Sequence, residues 1–149
     1  MKIKGDRILL SFVAGEDLTE GDAVYLSAAN TVKKVAAANA AKAVGVADAS
    51  AVAGADVDVV VYGKKTVTAG GTIAVGDRVV AASTAGRVVT ENSGTTSGHT
   101  HTENTAASYT QNATTASGTD TLEHARVIGK ALGAAASAGD TLDILVCLA

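Results

Sequence analysis

The chain has 149 residues, enough for one domain that buries about 70% of its unfolded surface without disulfides or metals. Its net charge is −3 and its basic residues are scattered, which excludes the concentrated positive surface of a nucleic-acid-binding protein. Ala and Val dominate the apolar residues, and aromatic residues make up 3% of the chain, so a large ligand pocket with aromatic walls is not expected either.

Residues 1–13 form an N-terminal arm rich in strand-forming residues. The arm lacks the apolar centre of a signal peptide, and no run in the chain approaches the roughly 18 apolar residues of a membrane helix, so no membrane partner is expected. The arm precedes the first of two repeats and has no evident counterpart in the second. Two interpretations stay open: an ordinary edge strand of the domain, or a strand that pairs with another chain.

Residues 14–149 read as a single β domain that contains a duplication. Short apolar–polar alternations bounded by Gly-Asp or Asn turns predict strands throughout both repeats, the first at about 14–67 and the second at about 68–149. The matching pairs are LTEGDAVYL at 18–26 with IAVGDRVVA at 73–81, TVKKV at 31–35 with GRVVT at 86–90, KAVGVA at 42–47 with RVIGKA at 126–131, and VDVVV at 57–61 with LDILV at 142–146.

Two further segments have local predictions. Residues 36–43 are rich in Ala but too short for a stable isolated helix, so a turn or a single helical loop is expected. Cys147 lies in the last apolar run, ILVCL, where a thiol is usually a small buried hydrophobe.

The second repeat is lengthened by a polar insert at about 93–121, which contains ten threonines. Such a segment cannot build a core, and we expect it to be exposed. It carries His99, His101 and Tyr109. The two histidines would lie on one side of an extended strand, but no complete ligand set accompanies them, so no metal site is predicted.

The sequence offers no catalytic constellation. It lacks the Gly-x-Ser-x-Gly nucleophile elbow and the phosphate-binding glycine loop that ends in Gly-Lys-Ser/Thr. A carrier domain of lipoyl type would need a modified lysine on a tight hairpin, and Lys64 with Lys65 is the only candidate for that position. We therefore predict a protein that is not an enzyme and has no cofactor.

The phrases AVGDRV at 74–79, GRVV at 86–89, VIGKAL at 127–132 and AGDTLDILV at 138–146 resemble the capsid cement, or head decoration, proteins of tailed bacteriophages. The resemblance implies a mainly β, barrel-like fold of the β-tulip type. It also implies a homotrimer at three-fold and quasi-three-fold sites on the outer surface of the virion, where it bridges the major capsid protein and stabilises the expanded shell.

By the same resemblance, the N-terminal arm is the segment that touches the capsid. The residues implied are Lys2, Ile3, Lys4, Arg7, Ile8, Leu9, Leu10 and Phe12. The alternative is a two-repeat β binding module that recognises a glycan or a receptor through the polar insert. The scarcity of aromatic residues argues against glycan stacking in that module.

Overall fold

A computed structural model describes residues 2–91 and 127–148, so the predicted insert at 93–121 lies outside the described residues. The described residues form ten strands and one short 3-10 helix, Ala37–Lys42, which confirms the helical loop expected at 36–43. The strands are β1 (Lys2–Lys4), β2 (Arg7–Ala14), β3 (Ala23–Ala28), β4 (Thr31–Lys34), β5 (Ala43–Ala47), β6 (Asp56–Thr68), β7 (Arg78–Ala81), β8 (Val88–Thr90), β9 (Gly129–Ala131) and β10 (Thr141–Cys147).

The first half of the chain closes into a five-stranded barrel. Strand β2 pairs in parallel with β4 and antiparallel with the first part of β6. The circuit is completed by the antiparallel pairs β4–β3, β3–β5 and β5–β6. Alternate residues of each strand point inwards, so the apolar alternation of the sequence fills this barrel with side chains. The buried set comprises Ala14, Leu18, Val24, Val32, Ala47, Val57 and Val59.

The second half repeats this circuit with the second part of β6. That part pairs with β10, β10 with β9, β9 with β7 and β7 with β8. A single parallel bridge between Ala69 and Val88 closes the ring. The 13-residue strand β6 therefore belongs to both barrels. The buried interior of the second barrel includes Val67, Ala69, Ile73, Val79, Val88, Ala131, Leu142 and Ile144.

The duplication extends to individual hydrogen bonds. Leu18 and Ala51 exchange two backbone bonds in the first half, and Ile73 and Ala135 do the same in the second. In the Gly-Asp turns, the Asp22 carboxylate accepts the Thr19 N–H, and the Asp77 carboxylate accepts the Ala74 N–H. A mainly β, barrel-like domain built from two related halves is thus confirmed.

One expectation about the repeat was wrong, because the N-terminal strand does have a counterpart. Strand β2 pairs with β6 from Leu10↔Val59 to Val13↔Asp56, and the second part of β6 pairs with β10 from Lys65↔Ile144 to Thr68↔Thr141. The first structural unit therefore starts near residue 7 and the second near residue 62. The sequence concealed this because Leu and Phe on β2 correspond to Lys and Val on β6, which leaves only Ala-Gly at 14–15 and 69–70 as a shared phrase.

Gly45 on β5 and Gly129 on β9 occupy equivalent positions in the two halves, and the structure shows why both positions need glycine. A Cβ atom on Gly45 would overlap the carbonyl oxygen of Val60, and one on Gly129 would overlap the carbonyl oxygen of Leu145. Neighbouring strands approach closely at both points, and backbone oxygen atoms of a paired strand cannot move aside. Glycine is the residue that permits such an approach.

Candidate functional site

The N-terminal arm is built into the sheet. Strand β1 is its edge strand, and its residues pair with β2 in the register Lys2↔Leu9, Ile3↔Ile8 and Lys4↔Arg7. On its other side, β2 pairs with β6 from Ile8 to Val13. Most of the backbone of β2 is therefore occupied within the chain. Of the two interpretations, the edge strand describes β1, while β2 is an internal strand.

The side chains expected to touch a capsid fall into two groups. Leu9 is only 2% exposed and belongs to the core that joins the two barrels, so it cannot offer its side chain to a partner. Phe12 is partly buried against the core of the first barrel. In contrast, Ile3 is 71% exposed and Leu10 is 37% exposed. The arm therefore stabilises the domain with some of its residues and presents others at the surface.

The exposed residues continue into a row across three strands. Ile3 on β1 is in register with Ile8 on β2, and Ile8 is in register with Tyr62 on β6. Residues in direct register share one face of a sheet. Tyr62 is 51% exposed. We call Ile3, Ile8 and Tyr62 the N-terminal patch; it is an exposed apolar surface of the kind that marks interaction sites.

Charged residues on the same three strands form a cluster with Asp48 and Glu20. The Asp48 side chain is 10% exposed and accepts a 2.7 Å bond from Arg7 Nη1. The ammonium group of Lys65 donates to Glu20 Oε1 at 2.6 Å and to Asp48 Oδ1 at 3.4 Å. Lys4 Nζ is 3.9 Å from Asp48 Oδ2. Asp48 is thus surrounded by three cations, which fix β1, β2 and β6 against the turn that follows β5.

An open, polar groove adjoins the cluster and is lined by Asp6, Arg7, Glu20, Lys64, Lys65, Thr66 and Asp143. Its charged groups mainly satisfy one another: Lys65 bonds Glu20, and Lys64 Nζ lies 3.2 Å from Asp143 Oδ2. No three His, Cys, Asp or Glu side chains within residues 2–91 and 127–148 come together as a potential metal site. The groove is consistent with a structural ionic network.

Within residues 2–91 and 127–148, the carboxylates of Asp77 and Asp143 have pKa values below the ordinary value of 3.8. The hydroxyl of Thr66 donates to Asp143, and this bond, together with the nearby ammonium of Lys64, lowers the pKa of Asp143. The Ala74 N–H and then the Thr90 hydroxyl donate to Asp77 and lower its pKa. Both shifts arise because hydrogen bonds favour the ionised form.

The position of Lys64 and Lys65 is wrong for a carrier domain of lipoyl type. A modified lysine must stand free on a tight hairpin, whereas both residues lie in the middle of the long strand β6, paired with Leu145 and Ile144. Lys65 is also only 7% exposed. Sequence reasoning missed its partners Glu20 and Asp48, because nothing in the spacing of 20, 48 and 65 shows that the fold brings them together.

The remaining predicted residues are placed as follows. His99, His101 and Tyr109 lie outside the described residues. Cys147 ends β10 with a partly exposed side chain and a free thiol, so it is less buried than expected. Among the described residues, no helix has the length and apolar character needed to cross a bilayer.

No protein family and no curated protein matches this chain. A solved structure does share its fold: the N base of the head fiber gp8.5 in bacteriophage phi29. The TM-score is 0.53 at 16% sequence identity, and the alignment covers 93% of this chain and 92% of that chain. The likeness therefore extends over nearly the whole of both chains and is not limited to one barrel.

Proposed function

We propose that this protein is a structural component of a tailed-phage virion, attached to the outer surface of the head. The observation that carries the proposal is the shared fold with the head fiber N base of bacteriophage phi29, which spans 93% of this chain. The residues support the same class of function, because the barrels are filled by their own side chains and the groove beside them is occupied by mutually paired charges.

The partner in this proposal is the major capsid protein, and the N-terminal patch is the surface that binds it. Ile3 and Tyr62 bring exposed apolar side chains to one sheet face, where they would be removed from water on binding. In a homotrimer at a three-fold site, three such patches act at once. Weak individual contacts then add up to firm attachment, which stabilises the expanded shell.

The alternative of a glycan- or receptor-binding module depends on the insert at 93–121. That segment lies outside the described residues, and no feature of the rest of the chain favours the alternative. The capsid proposal is therefore the one to test first.

The test is co-sedimentation of the full chain with expanded heads of the phage whose genome encodes it. We expect saturable binding to the heads and a higher temperature of head disruption when the protein is bound. Protein that stays in the supernatant at all concentrations, together with its absence from purified virions by mass spectrometry, would overturn the proposal.

Two variants locate the contact. Ile3→Ser combined with Tyr62→Ser removes apolar surface from the N-terminal patch, and we expect head binding to weaken at least about tenfold, since each buried side chain contributes roughly 1.5–3 kcal/mol. Val52→Ser is the matched control, because Val52 is 67% exposed on a loop of the first barrel outside the patch. Equal loss of binding in the control would remove the patch from the proposal.

A further inference from the structure

The two barrels carry different kinds of side chain at a pair of equivalent positions. In the first half, the Gly21 N–H donates to Ala47 O and the Ala47 N–H donates to Asp22 O; in the second half, Gly76, Ala131 and Asp77 repeat these bonds. Residues 20 and 48 therefore correspond to residues 75 and 132. The first pair is Glu20 and Asp48, whereas the second pair is Val75 and Leu132.

The environments of the two pairs also differ. Lys65 lies over Glu20 and Asp48 and bonds to both, so the first pair is covered by a residue from the neighbouring half. Val75 is 67% exposed and Leu132 is 48% exposed. Val75 and Leu132 are exposed and apolar, whereas the equivalent Glu20 and Asp48 are charged and are covered by Lys65. This difference indicates that an apolar group covers Val75 and Leu132.

The comparison of the two halves also identifies the apolar side chain that covers Val75 and Leu132. Lys65 is paired with Ile144 in the second barrel, and the equivalent pair in the first barrel is Leu10 with Val59. Leu10 thus occupies on β2 the position that Lys65 occupies on β6. Leu10 is apolar and 37% exposed, as expected for a side chain that meets Val75 and Leu132. The chain carries one matched set of charged residues and one matched set of apolar residues.

We propose that Leu10 of one copy of this chain packs against Val75 and Leu132 of a second copy. The ionic set holds the two halves together within a chain, and the apolar set joins one chain to the next. Because the contact joins two different surfaces, it is heterologous, and such contacts generate a ring when the rotation closes. The inference deepens the homotrimer of the proposed function and rests on that proposal for the number of copies.

The experiment measures the mass of the full chain by light scattering and sedimentation, in a dilution series up to about 1 mM, where even a millimolar Kd populates the contact. We expect multiples of 14.6 kDa for the natural sequence. Leu10→Lys alone, and Val75→Glu with Leu132→Asp, should each weaken association at least about tenfold. All three substituted residues are exposed, and a thermal melt confirms that each variant is folded.

A rescue experiment distinguishes this contact from a general loss of apolar surface. A chain that carries all three substitutions places a lysine, a glutamate and an aspartate at the contact between chains, as Lys65, Glu20 and Asp48 are placed within one chain. We expect this variant to associate again. High salt should weaken its association, because the contact is now ionic. An equimolar mixture of the two singly disrupted proteins should form a mixed dimer, because each retains one intact surface.

Three results would overturn the inference: a monomer throughout the dilution series, an unchanged mass for Leu10→Lys, or no mixed dimer. These results are separable from the capsid proposal. A monomer that still binds heads would overturn the self-contact and leave the virion function in place, while an oligomer that ignores heads would do the reverse.

Discussion

The Lys65 ammonium lies 2.6 Å from Glu20 Oε1, yet the two side chains differ greatly in exposure: 7% for Lys65 and 63% for Glu20. A buried ammonium needs partners that replace its water. Glu20 supplies one from the solvent side, and Asp48 supplies two more through its carboxylate and its backbone carbonyl at 3.1 Å. The partners come from the first half and the lysine from the second part of β6, so the cluster fastens the two barrels together.

The members of this cluster should contribute unequally to stability. Asp48→Ala removes the one carboxylate that faces Lys65, Arg7 and Lys4, and leaves Lys65 buried with fewer partners, so we expect a loss of about 3 kcal/mol in the free energy of unfolding. Glu20→Gln should cost below about 1 kcal/mol, because Glu20 is mostly exposed. Urea unfolding measures both; an Asp48→Ala loss as small as that of Glu20→Gln would contradict the central role of Asp48.

The adjacent leucines of β2 give a second prediction. Leu9→Ala opens a cavity in the core between the barrels and should reduce the free energy of unfolding by about 2–5 kcal/mol. Leu10→Ala removes a side chain that keeps 37% of its surface exposed, so it should cost less than Leu9→Ala, about 1 kcal/mol. Chemical denaturation tests the pair under identical conditions. Equal losses would mean that the two leucines do not separate into a core role and a surface role.

The division into two related halves of short strands was accessible from the sequence because turns and alternation are local signals. The Gly-Asp phrases at 21–22 and 76–77 mark equivalent turns, and the alternation in LDILV at 142–146 marks a strand whose inward residues are buried. Both features depend on neighbouring residues. For this reason the two halves, the strands and the short helical loop were predictable without coordinates.

The candidate site was less accessible because it depends on long-range pairing. The sharing of β6 between two barrels is invisible in a run of 13 residues, and it alone brings Lys65 to Glu20 and Asp48. The exposure of Leu10 beside the burial of Leu9 depends on which face of β2 meets the core, and the apolar run ILL at 8–10 does not show that face. Where apolar and polar residues do not alternate, the sequence does not show which face of a strand is buried or how the strand is aligned with its neighbour.

The duplicated glycines give a third prediction. Gly45→Ala and Gly129→Ala each place a methyl group against a backbone carbonyl of the paired strand, Val60 in one barrel and Leu145 in the other. Overpacking of this kind should cost about 2 kcal/mol or more in each case. Gly133→Ala is the control, because its nearest atoms would lie 3.8 Å away at an ordinary contact distance. Thermal melts compare the melting temperatures of the three variants. If Gly129→Ala has the same melting temperature as the Gly133→Ala control, the strands are less closely packed than the structure indicates.

Acid should destabilise the protein partly through Asp77 and Asp143. Hydrogen bonds from Ala74 and Thr90 to Asp77, and from Thr66 and Lys64 to Asp143, exist in the folded state and lower both pKa values below the ordinary 3.8. The unfolded chain therefore binds these protons first as the pH falls, so the stabilisation is present above pH 3.8 and disappears as the pH falls through the folded pKa values.

Asp77→Asn and Asp143→Asn should each make the free energy of unfolding less dependent on pH below about 4, measured by urea titrations at a series of pH values. Asp56→Asn, which removes one negative charge at the exposed start of β6, is the control for net charge. A slope for Asp143→Asn as steep as that of the natural sequence would show that its bonds to Thr66 and Lys64 do not stabilise the folded state.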